Sequence, residues 1–424
     1  MKKNYLKLNV WLMASLMGIF TFTACSSDDD GKEDDGDKKN IVMENNSTLQ
    51  GSVKNGQTVT LKEGYNFALN GEYNVEEGGK LIIEPGVTIS AKSDDGTIDF
   101  ILVEQGGKIE AEGTADKPIV MTADNKEAGA WGGVHICGKA PINIGTVGKS
   151  EVGDAPYGGV LAGDNSGILR YIRVEYAGYK FTSEKECNGF TFYAVGNGTT
   201  IDHLEAYKGS DDGYEWFGGT VNAKYLLSVS NSDDSFDWTE GWCGKGQFFV
   251  AYQEDQSTLG YACDCLIEAD NYDKNMDATP TSCPTLANLT LIGADQEEGT
   301  RGVRLRAGTH VKLYNTLVDG KSKNLTTETE QTESSLVDGT SVLNYVAIAG
   351  DVNCSGDGGY SSALFTDATN HNSINNTFSL TNKVVGTAGE GAAMKTIDSW
   401  FDDAAYIGAV QNSDTWINEA WVKF

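Results

Sequence analysis

Short runs in which apolar and polar residues alternate recur along most of the chain. Ile168 to Tyr176, Tyr225 to Val229 and Val311 to Leu317 are examples, and Gly, Asn or Asp follows each of them within a few residues. Alternation predicts β-strands, because successive side chains of a strand point to opposite faces, and the residues that follow are typical of turns. Few stretches show the 3.6-residue period of an amphipathic helix, so the pattern predicts an all-β fold.

Repeated motifs indicate how these strands are arranged. Val75–Leu81 (VEEGGKL) is echoed 28 residues later by Val103–Ile109 (VEQGGKI), and Ser210–Trp216 is echoed 22 residues later by Ser232–Trp238. Periods of this length with little helix predict a single right-handed parallel β-helix, in which each coil packs only on its neighbours. The main alternative is a β-propeller, which needs periods of about 40–50 residues.

The repeats also suggest boundaries. We expect the β-helix to cover residues 75–396, with a loop insertion at about 241–284 that is rich in Asp and Cys and breaks the rhythm. Residues 41–74 are predicted to form an N-terminal β cap. Residues 397–424 contain Trp400, Trp416 and Trp421. We expect this segment to fold over the other end, because an open solenoid end exposes unpaired strand edges.

The first residues predict export and lipidation. Two lysines precede an apolar stretch from Val10 to Phe22, and Thr23-Ala24 stand directly before Cys25. This order is typical of a secretory signal peptide, here residues 1–24, and the apolar run is too short to span a bilayer comfortably. The position of Cys25 fits a lipobox, so we expect acylation there, with palmitate among the chains; the alternative is an ordinary signal peptide with a chance cysteine. Several acyl chains on one cysteine anchor a protein stably.

An acidic segment follows the predicted lipidation site. Residues 25–40 are rich in Asp, Glu, Gly and Lys and have almost nothing apolar to bury, which predicts a disordered tether. The segment resembles the acidic export signal of Bacteroidota surface lipoproteins. That resemblance implies transfer to the outer face of the outer membrane, whereas a plain spacer would leave the protein facing the periplasm.

Four segments of the body share the pattern of a known family. They are Lys80–Ile89 (KLIIEPGVTI), Gly113–Thr122 (GTADKPIVMT), Trp131–Asn143 (WGGVHICGKAPIN) and Tyr406–Val410 (YIGAV). From about residue 60 to its end, the chain resembles the Bacteroidota surface-exposed β-helix lipoproteins, which have a pectin-lyase-like fold. The resemblance implies a surface location, and because some members resemble surface-layer proteins, it also implies a possible coat function.

The net charge limits the classes of partner. At −29, it argues against nucleic acid and against direct docking on anionic lipid head groups, and it permits divalent cations. We therefore expect the partners to be the outer membrane through the lipid anchor, further copies of the chain, or an extracellular glycan.

Carboxylates form a predicted ladder in the 22-residue repeat. Parallel strands lie about 4.8 Å apart, and two carboxylates at that distance repel by roughly 3 to 4 kcal/mol at an effective dielectric constant of about 20. Three arrangements are open: the groups splay into solvent, they share a Ca²⁺ ion, or they act in catalysis as the paired carboxylates of a retaining glycosidase do. The stacked pairs are Asp211 with Asp233, Asp212 with Asp234, and Glu215 with Asp237.

Aromatic residues follow the same repeat. Phe192, Tyr214 and Phe236 recur at 22 residues, as do Trp216 and Trp238, and inward stacks of this kind typically fill a β-helix core. An outward platform for sugar rings is the alternative. The residues predicted to contact a glycan lie in the 241–284 insertion and are Trp242, Tyr252 and Tyr261.

Three arginines on one predicted coil, Arg301, Arg304 and Arg306, suggest salt bridges along the solenoid face. They also resemble the basic residue of polysaccharide lyases, which share this fold. The sequence does not place the arginines beside the acidic ladder.

Two functions remain open at this stage. The favoured prediction is a non-enzymatic, lipid-anchored cell-surface protein with a coat, surface-layer or adhesion role, and no catalytic residue is assigned. The alternative is a carbohydrate-active or glycan-binding surface lipoprotein that resembles a polysaccharide lyase or hydrolase. Fold alone does not decide between them.

Overall fold

The computed structural model describes residues 40–92, 97–181, 185–294 and 297–424. The predicted signal peptide, Cys25 and the tether up to residue 39 lie outside the described residues. Within those ranges, no helix is both long enough and apolar enough to cross a membrane.

Strands dominate the described chain, and 24 of them form one continuous sheet while β11 and β12 form a separate pair. The strands are β1 Asn40–Val42, β2 Thr48–Val53, β3 Thr58–Leu61, β4 Asn66–Val75, β5 Lys80–Ile83, β6 Thr88–Ala91, β7 Phe100–Val103, β8 Lys108–Glu112, β9 Ile119–Ala123, β10 Val134–Cys137, β11 Gly148–Lys149, β12 Pro156–Tyr157, β13 Gly167–Glu175, β14 Phe190–Tyr193, β15 Thr200–Tyr207, β16 Tyr214–Phe217, β17 Asn222–Val229, β18 Phe236–Thr239, β19 Lys245–Tyr252, β20 Ile267–Ala269, β21 Thr285–Ile292, β22 Arg301–Leu305, β23 Lys312–Asp319, β24 Lys323–Thr327, β25 Val342–Ile348 and β26 Val352–Cys354. The helices are α1 Gln256–Leu259, α2 Glu330–Asp338, α3 Ser362–Phe365, α4 Met394–Ile397 and a 3₁₀ helix at Trp416–Asn418.

The large sheet winds into three columns of parallel strands. Column A joins β1, β3, β5 and β8 to the first halves of the long strands β13, β15, β17, β19, β21, β23 and β25. Column B joins the starts of β2 and β4 to β6, β9 and the second halves of the same long strands. Column C joins the ends of β2 and β4 to β7, β10, β14, β16, β18, β20, β22, β24 and β26. This architecture confirms the predicted single parallel β-helix.

Glycines make the tight corners of adjacent coils possible. The Gly78 N–H donates to the Gly106 carbonyl at 3.0 Å, so the two VE-x-GGK motifs stack as their repeat predicted. Both residues have positive φ, 77° and 85°, which residues with a Cβ avoid. At Gly107, a Cβ would lie 2.3 Å from the Val75 carbonyl oxygen, so the close approach of the coils requires glycine there.

Stacked aromatic side chains fill the middle of the solenoid, as predicted. The rows differ from the predicted ones at one residue. Phe192 lies beside Trp216, and Phe190 takes its predicted place beside Tyr214. The ring centroids of these pairs are 5.3 Å and 5.8 Å apart. All four side chains are buried, so this stack contributes to the core rather than to an outer surface.

The predicted N-terminal cap and loop insertion require correction. Residues 41–74 form the first coils themselves, since β1 pairs with β3 and β2 pairs with β4 in parallel register. The 241–284 stretch likewise contains two strands of the solenoid, β19 and β20. The irregular parts are the connections on either side of β20, and α1 lies in the first of them.

The C-terminal residues cover a side of the solenoid rather than its end. Trp416 and Trp421 pack against Leu227 and Val250 on the outside of column B. The carbonyl of Trp421 accepts a hydrogen bond from Arg173 at 3.0 Å. The predicted cap at 397–424 is therefore a lateral cover. At the last coil, the backbone N–H of Ser373, a residue that precedes this segment, donates a hydrogen bond to the Val346 carbonyl on β25.

Candidate metal site

The acidic ladder lies on the outer side of column C. Glu215 on β16 pairs in register with Asp237 on β18, and Asp237 pairs with Glu268 on β20. Glu268 in turn pairs with Arg304 on β22. Alternation explains the placement, because the neighbours of each of these residues in the strand point into the core and the ladder side chains point out.

The turns before these strands add further carboxylates and enclose a cleft of about 360 Å³. Ten carboxylates line it together with one amide and one guanidinium group. The lining residues are Glu151, Glu186, Asn188, Asp211, Asp212, Glu215, Asp233, Asp234, Asp237, Asp264, Glu268 and Arg304.

Most of the ladder is enclosed rather than splayed into solvent. Asp211, Asp212 and Asp234 are only 5%, 6% and 5% exposed. Glu215 and Asp237 are half-buried, and Asp233 alone among the six predicted ladder residues is exposed. The prediction that the six carboxylates splay into solvent is therefore wrong for all of them except Asp233.

Backbone and amide donors fix some of the carboxylate oxygens. The N–H of Asp234 donates to Asp212 Oδ1 at 2.9 Å, and the N–H of Cys265 donates to Asp234 Oδ1 at 2.6 Å. Asn188 Nδ2 donates to Glu215 Oε2 at 2.6 Å. Within the described part of the chain, the buried Oδ1 of Asp237 has no hydrogen-bond partner.

Burial and mutual repulsion make the ionised forms costly. Burial, followed by the neighbouring carboxylates of Glu186 and Asp233, raises the pKa of Asp211 to about 9. Burial chiefly raises the pKa of Glu151 to about 7. Burial and adjacent carboxylates also raise the pKa of Asp212 and Asp237 well above the usual carboxyl range. These groups either keep protons at neutral pH or need a positive charge beside them.

The donor set fits a hard divalent cation. One oxygen each from Asp212, Glu215 and Asp237 lie within 4.8 Å of one another, and the same holds for a group of Glu186, Asp211 and Asp233. Ca²⁺ takes oxygen ligands at about 2.4 Å, so two ligands of one ion can lie up to about 4.8 Å apart. The unsatisfied Oδ1 of Asp237 points to the same conclusion. The residues present therefore fit a Ca²⁺ ion.

Arg304 is the positive charge that closes one end of the ladder. Its Nη1 donates to Glu268 at 2.8 Å, and its Nη2 lies 3.1 Å from Glu328. Arg306 also bonds Glu268, at 2.6 Å, and Arg301 bonds Glu328, at 3.2 Å. The salt bridges that the sequence suggested are thus present, and the long connections that separate Arg304 from the ladder in sequence do not separate them in space.

Comparison with known families agrees with this architecture. The family model described as a pectate-lyase like beta helix domain matches residues 51–405. The chain belongs to this family. Neither the curated proteins nor the solved structures gave a match. Membership in the pectate-lyase-like β-helix family establishes the fold, while the chemistry of the cleft comes from the residues described above.

The predicted glycan contacts are not a surface platform. Trp242 is fully buried and stacks on Trp216 with ring centroids 4.5 Å apart, so it belongs to the core and cannot contact a glycan. Tyr252 is half-buried beneath Phe424 and Lys383, whose ammonium group lies 4.6 Å from its ring centre. The hydroxyl of Tyr261 donates to the Ser230 carbonyl at 2.7 Å. The three residues do not form one surface.

Sequence reasoning missed four of the carboxylates in the cleft. Asp264 and Glu268 occupy the turn and strand of the next coil, but the connection after β19 lengthens that coil and hides the repeat. Glu151 and Glu186 come from the connections before β13 and β14, where no repeat exists. Aligning Asp264 with Asp233 by their position before a strand would have found two of them.

Proposed function

We propose that the protein is a non-enzymatic, lipid-anchored protein of the outer cell surface whose acidic cleft binds Ca²⁺, and that it serves a coat, surface-layer or adhesion role. The observation that carries this proposal is the convergence of ten carboxylates in one cleft around the unsatisfied Oδ1 of Asp237. The acidic tether after Cys25 supports the location, and the rigid solenoid suits a structural role.

Electrostatics gives the reason for a cation. Each pair of ionised carboxylates at about 4.8 Å costs roughly 3 to 4 kcal/mol at an effective dielectric constant of about 20. Asp212, Glu215 and Asp237 alone make three such pairs. A divalent cation among them converts this repulsion into attraction, and a binding free energy of this kind adds directly to the stability of the folded protein.

Calorimetric titration tests the proposal. A soluble form that begins at Ser26 should take up Ca²⁺ with measurable heat, and an Asp212→Asn, Asp237→Asn double variant should lose at least tenfold in affinity. Asp116→Asn is the matched control, because Asp116 is an exposed aspartate outside the cleft. Wild-type protein that shows no Ca²⁺ binding, or a double variant that binds like the control, contradicts the proposal.

The position of Arg304 supports a second candidate function, that of a polysaccharide lyase. Such an enzyme needs a base beside the cation, and Arg304 lines the same cleft as the ladder. The contacts of Arg304 argue against this role. Burial acts to lower the pKa of the Arg304 guanidinium. Hydrogen bonds with Glu328 and Glu268 outweigh this effect and raise the pKa further above its usual range. A base must release its proton, and these contacts oppose release.

Activity measurements separate the two functions. The non-enzymatic proposal expects no unsaturated products from acidic polysaccharides, with or without Ca²⁺. Cleavage by the wild type that disappears in Arg304→Gln would establish the lyase instead.

A further inference from the structure

Another cavity lies on a different side of the solenoid from the acidic cleft. It occupies the outer side of column A, where β15 and β17 meet the C-terminal cover, and measures about 300 Å³, which is within the usual range of small-molecule sites. Its walls are Trp400, Lys224, Asp202, Asn222, Asn197 and Thr199 together with Thr200 and Ile201, the first two residues of β15. We call it the Trp400 pocket.

Trp400 is held firmly although it remains partly exposed. Its backbone N–H donates to Asp398 Oδ1 at 2.9 Å, and Asp398 in turn pairs with Lys245. The next residue, Phe401, is buried against Ala287 and Met394. The Trp400 and Phe401 rings meet edge to face with centroids 5.0 Å apart. These contacts order the indole at the wall of the cavity before a ligand binds, which lowers the entropic cost of binding.

The charges of the pocket are already paired. Lys224 Nζ lies 2.9 Å from Asp402 and 4.7 Å from the centre of the Trp400 ring. Asp202 contacts Arg170, at 3.5 Å, and His203. An ionic ligand would have to break one of these pairs, so the pocket favours an uncharged ligand.

Its remaining polar groups suit hydroxyl groups of a ligand. Asn222 Oδ1 accepts from the Lys245 N–H at 2.9 Å, which leaves the amide N–H groups of Asn222 to donate. Thr199 Oγ1 accepts from the Ser166 N–H at 2.8 Å and can still donate its own proton. The side chain of Asn197 is exposed at the rim and offers both a donor and an acceptor.

We propose that the Trp400 pocket binds one residue of a neutral glycan, with the apolar face of the sugar ring against the part of the indole that Lys224 leaves uncovered and its hydroxyls on the amides and Thr199. An aromatic side chain with an apolar face beside a few convergent polar groups is the combination that such a ligand requires. The proposal concerns column A and does not depend on the acidic cleft of column C.

Titration with neutral oligosaccharides tests this site. The probes are mannohexaose, xylohexaose and cellohexaose, with oligogalacturonate as the acidic comparison, followed by calorimetry and tryptophan fluorescence. At least one neutral probe should bind in the presence of EDTA as well as Ca²⁺. Trp400→Ala should weaken it by about tenfold or more, while Trp400→Phe retains a stacking surface and most of the affinity.

Two further variants keep the test independent of folding. Asn197→Ala removes an exposed wall residue and should lower affinity about threefold or more, as expected for a lost hydrogen bond. Tyr272→Ala is the matched control, since Tyr272 also lies beneath a lysine, Lys274, but outside the pocket, and it should bind like the wild type. No binding of any neutral probe, or equal affinities of Trp400→Ala, Asn197→Ala and wild type, overturns the proposal.

Discussion

The backbone N–H of Asp234 donates a hydrogen bond to Oδ1 of Asp212, one coil earlier, at 2.9 Å. The next coil repeats the contact, with the Cys265 N–H bonded to Asp234 at 2.6 Å. Each acidic turn is thereby tied to the turn above it, so the carboxylates cannot move apart unless the coils separate. The cleft concentrates negative charge because the backbone holds it there.

Removing one of these charges should stabilise the protein when no metal is present. Folding without a metal ion must either protonate the buried Asp237 carboxyl or tolerate its repulsion with Glu215 and Asp212, and Asp237→Asn removes this cost, so we expect the free energy of unfolding in EDTA at neutral pH to rise by about 1–2 kcal/mol. The same variant should lose most of the increase in melting temperature that Ca²⁺ gives the wild type. Thermal unfolding in EDTA and in Ca²⁺ measures both effects.

Asp116→Asn serves as the control for that experiment: it should change the free energy of unfolding in EDTA by no more than about 0.5 kcal/mol, and it should keep the increase in melting temperature that Ca²⁺ gives the wild type. A loss of stability in EDTA for Asp237→Asn would show that the carboxylate is satisfied without a metal ion.

The stability of the metal-free protein should depend on pH in a defined direction. The pKa of Asp211 is raised to about 9 and that of Glu151 to about 7, chiefly by burial. Between about pH 4 and pH 9 the unfolded chain therefore releases protons that the folded chain keeps, and stability falls as pH rises. Without Ca²⁺, the melting temperature should be higher at pH 5 than at pH 8.

Calcium should reverse that trend, because protons compete with the metal ion for the same oxygens. Added Ca²⁺ should raise the melting temperature strongly at pH 8 and weakly at pH 5. A stabilisation by Ca²⁺ that is equal at both values would place the ion outside the cleft.

Sequence repeats predicted the parts of the molecule that depend on neighbouring coils. The stacking of Gly78 on Gly106 and of Glu215 on Asp237 follows directly from periods of 28 and 22 residues. Contacts between distant segments leave no such period. The pairing of Glu268 with Arg304 spans a lengthened coil, and the return of Trp421 to column B depends on tertiary contacts, namely packing and the hydrogen bond from Arg173.

The position of Trp242 shows why local irregularity misleads. It lies where the 22-residue repeat of the sequence stops, which suggested a surface loop, yet it faces inward and donates its indole N–H to the Val221 carbonyl at 3.2 Å. Trp242→Ala should therefore lower the free energy of unfolding by about 3–5 kcal/mol, as expected for a large buried side chain.

Chemical denaturation of Trp242→Ala beside Trp400→Ala checks that prediction. Trp400→Ala truncates a partly exposed side chain and should lower the free energy of unfolding by less than about 1 kcal/mol. Equal losses for the two variants would mean that Trp242 is not part of the packed core.

The anchor can be tested in cells. Cys25→Ala should abolish incorporation of labelled palmitate and release the protein from the membrane fraction, because the acyl chains supply the membrane affinity. In the wild type, protease added to intact cells should degrade the protein if it faces outward. Wild-type protein that carries no lipid contradicts the anchor, and protection from protease contradicts the surface location.

The most direct test of the calcium-binding cleft is a crystal structure of the soluble form grown in Ca²⁺. We expect a cation bound between Asp212, Glu215 and Asp237, with ligand oxygens at about 2.4 Å. A cleft that contains only water at a Ca²⁺ concentration well above millimolar, with the carboxylates of Asp212 and Asp237 bonded to one another through shared protons, would contradict the account.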